Sequence, residues 1–150
     1  MDIPDYRARL IQAREEKGWS IHETAWRMEE AAIASRSNYY DIEQCAEELT
    51  ENCPLAKVSR ICQSLGIRPR DLFCLETTNE MTVDDVVRAI RVHCIKNQIP
   101  FQKFEDTVGW RVESCLDDPK NALREWSIVA LKDICDALDI DWCGIVAGLE

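Results

Sequence analysis

Eight cysteines and two histidines are the side chains of this 150-residue chain best suited to metal binding or nucleophilic chemistry. Their spacing argues against both. Cys45, Cys53, Cys62, Cys74, Cys94, Cys115, Cys135 and Cys143 are spread along the chain and no two lie three apart. No C-x-x-C pair or Cys/His knuckle is therefore present to seat zinc. His22 and His93 have no cysteine or serine nucleophile at an interpretable spacing. The chain has no H-E-x-x-H, no G-x-S-x-G and no Gly-rich phosphate loop, and only five glycines to build one. The expectation is a non-enzymatic protein with no cofactor and no metal, its thiols reduced and mostly packed as small apolar groups. Asp117 and Asp118, before Pro119, read as a helix end or cap.

Charge points to a partner instead. The formal net charge is −10, split as −3 over residues 1–75 and −7 over 76–150. Phosphate is repelled by such a chain at long range, whereas a basic protein is attracted. Glu47, Glu48 and Glu51, in a stretch read as a polar loop from about Gln44 to Cys53, are candidate partner-binding residues, as are Asp117 and Asp118. No apolar run approaches the roughly 20 residues that span a bilayer. The N-terminal segment lacks the apolar core of a secretory signal. The expected setting is the cytoplasm, without a membrane.

Helical periodicity dominates, and strand signals are nearly absent. Tyr6, Leu10, Ala13 and Arg14 fall at helical spacing, and Gly18 ends that helix. Ser20 and Glu23 have the spacing of a capping box for the next one, which buries Thr24, Ala25 and Met28. Pro54 suits the first turn of a helix whose stripe is Leu55, Val58, Ile61, Cys62 and Leu65, closed by Gly66. A short turn at Asp71–Phe73 and a polar linker, 76–80, follow. Thr82 and Asp85 restart the pattern, Val86, Val87, Ile90 and Cys94 continue it, and Pro100 opens the next helix. A last stripe runs from Ile128 through Leu131, Ile134 and Cys135 to Leu138.

The second half repeats the first. Ile61, Cys62, Leu65 and Ile67 reappear as Ile134, Cys135, Leu138 and Ile140, an offset of 73. Nearer the start of each half, Leu10 matches Ile90 and Met28 matches Val108, an offset of 80. The middle of the second half is thus seven residues shorter. Duplication of one helical unit explains the shared order of elements.

Four stretches of the first half bear a family resemblance: Arg14–Ser20 (REEKGWS), Glu23 with Ala25, Ser35–Glu43 (SRSNYYDIE), and Leu55 through Phe73. Together they resemble the Xre/Cro phage-repressor type of helix-turn-helix domain, over about residues 6–73. The resemblance implies an all-α fold: two tandem repressor-like helix-turn-helix units packed as one compact protein. The units would occupy residues 1–75 and 81–150, the second a degenerate copy. It implies a DNA-binding transcriptional regulator that binds double-stranded DNA as a homodimer, with the second motif helix in the major groove. Arg36, Ser37, Asn38, Tyr40 and Asp41 would then face DNA, Arg36 suited to guanine and Asn38 to adenine. Tyr39 and Ile42 would point into the core, and Glu43 would be a structural carboxylate. The chain departs from the family pattern in about four extra residues within Glu29–Ala34 and in the acidity of the stretch after Glu43. A second expectation therefore stands beside the first: an acidic protein-interaction module on the same scaffold, such as an antitoxin or immunity protein bound to a basic toxin. The five tryptophans are expected to pack in the core or at its edge, with Trp26 the exception, partly exposed.

Overall fold

The computed structural model describes residues 2–149 and is all-α among them. Six helices form the first half: α1 (Arg7–Glu16), α2 (Ile21–Glu30), α3 (Arg36–Gln44), α4 (Ala46–Glu51), α5 (Leu55–Leu65) and α6 (Pro69–Leu72). Six form the second: α7 (Val83–Asn97), α8 (Phe101–Val108), α9 (Glu113–Asp117), α10 (Asn121–Glu125), α11 (Ile128–Ala137) and α12 (Trp142–Ala147). No described helix is long and apolar enough to cross a membrane.

Local chemistry sets the boundaries. The hydroxyls of Ser20, Ser35, Thr82 and Ser127 accept the amide three residues on, and the Asp141 carboxylate accepts the Cys143 amide. Each bond satisfies a donor that the first helical turn leaves without a partner. Only Thr82 completes a reciprocal box, with Asp85 reaching back to its amide. Glu23 turns instead to Arg27, 3.1 Å away, so the Ser20 cap is one-sided. Pro54 and Pro100 sit at the N-cap itself, one residue ahead of the first turn.

The two halves share backbone turns as well as element order. After α1, the Trp19 amide donates to the Arg14 carbonyl and Gly18 has φ +75°. After α7, the Ile99 amide donates to the Cys94 carbonyl and Gln98 has φ +53°. These positions differ by 80. After α5, the Ile67 amide donates to the Cys62 carbonyl with Gly66 at φ +67°, and after α11 the Ile140 amide donates to the Cys135 carbonyl with Asp139 at φ +57°. Those differ by 73. The same offset aligns the starts of α5 with α11 and of α6 with α12. It also sets α9 against the last five residues of α3. The seven missing residues are therefore the end of α2, the connecting loop and the opening turn of α3.

One core runs through both halves. Its largest buried side chains include Tyr6, Tyr39, Phe73, Phe104 and Trp126, and the helical stripes supply the aliphatic remainder. Across the junction α4 packs on α11, α5 on α10, and α6 on α12. This pairing is reciprocal: each half offers its fourth helix to the fifth helix of the other, and the sixth helices meet. The Leu55 amide also donates to the Trp126 carbonyl at 2.9 Å, and the Met81 amide to the Gly144 carbonyl at 3.1 Å. A Cβ on Gly144 would collide with the Asn79 carbonyl oxygen, and one on Gly148 would lie 2.7 Å from that of Met81. The segment between the halves is thus seated against α12 through backbone contact. Thr77 within it is buried, and its carbonyl accepts from Arg70 at 2.6 Å.

Two expectations are corrected. The stretch read as a loop around Glu47, Glu48 and Glu51 contains a short helix, Ala46–Glu51, which buries Leu49 and Thr50 and keeps Glu47 and Glu51 exposed. The stripe ending at Leu138 does not finish the protein: α12 follows and is buried from Trp142 to Ala147.

Candidate functional site

The carboxylate of Glu43 fixes the helix α3 that carries the sequence-predicted reading face. Arg14 on α1 reaches it with Nε at 2.8 Å, and the two side chains are only 12% and 3% exposed. Nη2 of the same guanidinium adds a second bond at 3.0 Å, to Oε1. This two-point contact clamps α3 to α1. It also raises the Arg14 pKa above its ordinary value, the Glu43 hydrogen bond being the main cause. Tyr39 and Ile42 are fully buried beneath. Burial first, and the neighbouring Glu43 second, raise the pKa of the Tyr39 hydroxyl. That hydroxyl has no hydrogen-bond partner at normal geometry.

Ser37 and Asp41 are exposed; the Ser37 hydroxyl lies 3.4 Å from that of Ser35, and Asp41 has no ion-pair partner among the described residues. The other three predicted reading residues are engaged within the chain. Arg36 is ion-paired with Glu29 at 3.3 Å, and its backbone amide donates to the same carboxylate. Asn38 is used at both ends of its amide: Nδ2 donates to Glu48 at 2.8 Å and Oδ1 accepts from Lys57 at 2.5 Å. The Tyr40 hydroxyl lies 2.6 Å from His22 Nδ1, with the rings edge to face. That contact closes α2 on α3. The loop between these helices, which holds the extra residues, is pinned by Arg60 donating to the Ala31 and Ala32 carbonyls.

The acidic candidates divide into two separate places. Glu47 and Glu51 face outward from α4 and, with Asp2, Asp5 and Lys132, line a shallow pocket of about 330 Å³. Glu48 is not a free carboxylate, since it binds Asn38 and Asn52. Asp117 and Asp118 end α9 in the other half, both exposed, with Arg91 4.0 Å from Asp117. Asp118 caps the turn by accepting the Lys120 amide at 3.2 Å. The fold thus joins one residue of the DNA set, Asn38, to one of the partner set, Glu48, and keeps the rest apart.

Trp26 is 51% exposed, and beside α2 the Arg27 guanidinium lies 4.3 Å from the Trp19 ring centre. Six of the eight cysteines are buried and all eight are free thiols. Burial pushes the Cys62 and Cys135 thiols up to about 12, which leaves them protonated and poorly nucleophilic. Among the described residues no cluster of three His, Cys, Asp or Glu is placed to hold a metal ion.

Sequence reasoning missed a broad groove of about 1160 Å³ between α8 and the α9–α10 corner. Phe101, Glu105, Asp106, Trp110, Glu113 and Glu125 are among its lining residues. The one signal available was Glu105, which takes the place of buried Ala25 at the offset of 80. Compared with family models, curated proteins and solved structures, the chain matches none of them.

Proposed function

We propose that this chain is a non-enzymatic protein-interaction module for a basic protein partner, built on two tandem helix-turn-helix-like units. The observation that carries this reading is the state of Asn38. Direct readout of adenine needs both ends of a side-chain amide free, and here Glu48 and Lys57 occupy them. The pairing of Arg36 with Glu29 weakens the guanine contact in the same way. The net charge of −10 then sets the preferred partner's sign. Free buried thiols suit a reducing compartment such as the cytoplasm.

A DNA-binding regulator of Xre/Cro type is the second reading. The close packing of α2 on α3, with Arg36, Ser37 and Asp41 outward, favours it. In that reading the chain would act as a homodimer on two half-sites. Fluorescence anisotropy of a labelled generic duplex separates the two. Non-specific binding by DNA readers falls near 10⁻⁴–10⁻⁶ M and tightens as salt falls. The interaction-module reading expects no binding at about 20 mM salt and about 100 μM protein, within that range. Binding with a steep salt slope would replace it with the regulator reading.

A further inference from the structure

We infer that the groove between α8 and the α9–α10 corner binds an arginine-bearing segment of the protein partner. This rests on the interaction-module reading and names the site through which it would work.

The groove exists because the two halves differ at one packing contact. In the first half α2 closes on α3: Ala25 is fully buried, and His22 meets Tyr40 across the junction. In the second half the offsets of 80 and 73 put Gln102 at the place of His22, Glu105 at that of Ala25 and Glu113 at that of Tyr40. A glutamate cannot be buried where an alanine was without a partner for its charge. Glu105 finds partners by accepting the Val112 amide at 2.8 Å and the Glu113 amide at 3.2 Å, which holds the start of α9. Helix α8 meanwhile packs on α11. The opening turn of α3 has no counterpart to fill the space that remains.

The lining defines the occupant. Four acidic residues, Glu105, Asp106, Glu113 and Glu125, line the groove with a single basic one, Arg111. Glu105 is engaged by backbone amides and Glu125 by the Ser114 hydroxyl at 2.5 Å. Asp106 and Glu113 are exposed and their carboxylates have no hydrogen-bond or ion-pair partner among the described residues. Two half-buried rings, Phe101 and Trp110, also line the groove; the Arg91 guanidinium already lies 6.0 Å from the Phe101 ring centre, which leaves Trp110 as the ring for an incoming arginine. Trp110 is held in place by its Nε1–H donating to Asp133 at 2.9 Å. An arginine matches this combination better than a lysine, because its planar guanidinium both stacks on a ring and bonds a carboxylate at two points. The same chain makes both contacts internally, with Arg27 over Trp19 and Arg14 on Glu43.

The test titrates hexa-arginine amide, and in parallel hexa-lysine amide, into the ¹⁵N-labelled full chain at about physiological salt, where long-range surface attraction is screened beyond about 8 Å. The expected result is a shift of the Trp110 indole N–H and of the Gly109 and Ser114 amides. Hexa-arginine should bind several-fold more tightly than hexa-lysine. The double variant Asp106→Asn/Glu113→Gln should weaken hexa-arginine about tenfold. Both residues are exposed, so the fold should be retained, which circular dichroism checks. Glu47→Gln/Glu51→Gln on α4 should leave the affinity unchanged. Shifts centred on α4, or equal weakening by both double variants, would overturn the groove while sparing the partner reading. No hexa-arginine binding, together with salt-dependent binding to the duplex, would overturn the partner reading as well.

Discussion

At the place where the first half buries Arg14 against Glu43, the second half has Cys94 and Leu116, by the same offsets of 80 and 73. Cys94 and Leu116 are buried too. One half thus joins its first and third helices by a buried ion pair; the other has apolar side chains at those places and holds α9 at the surface through Arg91, which donates to the Leu116 carbonyl and lies 4.0 Å from Asp117. The difference teaches what the ion pair does. A buried pair recovers its desolvation cost only through good geometry, and apolar replacement of both partners is often neutral. Its contribution is to orient α3: the guanidinium accepts one approach of the carboxylate, whereas apolar surfaces tolerate several. The half with the ion pair keeps α2 closed on α3. The half without it has the shortened α9 and the open groove.

The largest expected effect comes from breaking that pair on one side. Glu43→Leu should cost about 3–5 kcal/mol in urea unfolding, because Arg14 is left buried and uncompensated. Arg14→Cys/Glu43→Leu copies the second half and should recover most of that loss. If the single variant lost under about 1 kcal/mol, the pair would behave as a surface pair and the contrast between the halves would be empty. Next comes the junction. Gly144 occupies the place of exposed Asp71 at the offset of 73, yet a side chain there meets the Asn79 carbonyl. Gly144→Ala should destabilise by about 1–3 kcal/mol through overpacking, and Asp71→Ala should change stability by less than about 0.5 kcal/mol. An equal response at both sites would mean that α12 is free of the linker.

The positive-φ turns sharpen the comparison further. Gln98 and Asp139 hold backbone conformations that Gly18 and Gly66 hold in the first half. Gln98→Gly should stabilise by about 0.5–1 kcal/mol, since a left-handed residue with a Cβ is strained. Asp139→Gly should gain less, a few tenths of a kcal/mol, because aspartate tolerates that region better. Thermal unfolding of the two variants side by side measures the order. Loss of stability at Gln98 would show that its side chain, and not its backbone, matters there.

Much of the fold was legible because it follows from periodicity and punctuation. The apolar stripes of α5 and α11 and the caps at Ser20 and Thr82 were readable one helix at a time, whereas the inward Tyr39 and Ile42 came only from the family resemblance. Helix α4 was not, since three glutamates in six residues mask the two inward positions Leu49 and Thr50. Helix α12 was not, because a segment apolar on every side has no periodicity, and its burial is decided by α6 and α11. Residues of the predicted reading face were named correctly as a helix, but their engagement was invisible. Glu48 and Lys57 meet Asn38 from two other helices. The groove was hidden for a further reason. Glu105 is an ordinary surface glutamate until the halves are aligned across the seven-residue shortening.

The reciprocal junction also sets a schedule for synthesis. The inward face of α4 is covered by α11, whose last residue lies 86 positions after the end of α4. At ribosomal rates of about 5–20 residues per second, the first half spends roughly 4–17 s with the α11-facing side of α4 uncovered. During that interval the first six helices form an incomplete unit, their contacts for α10, α11 and α12 open to other hydrophobic surfaces.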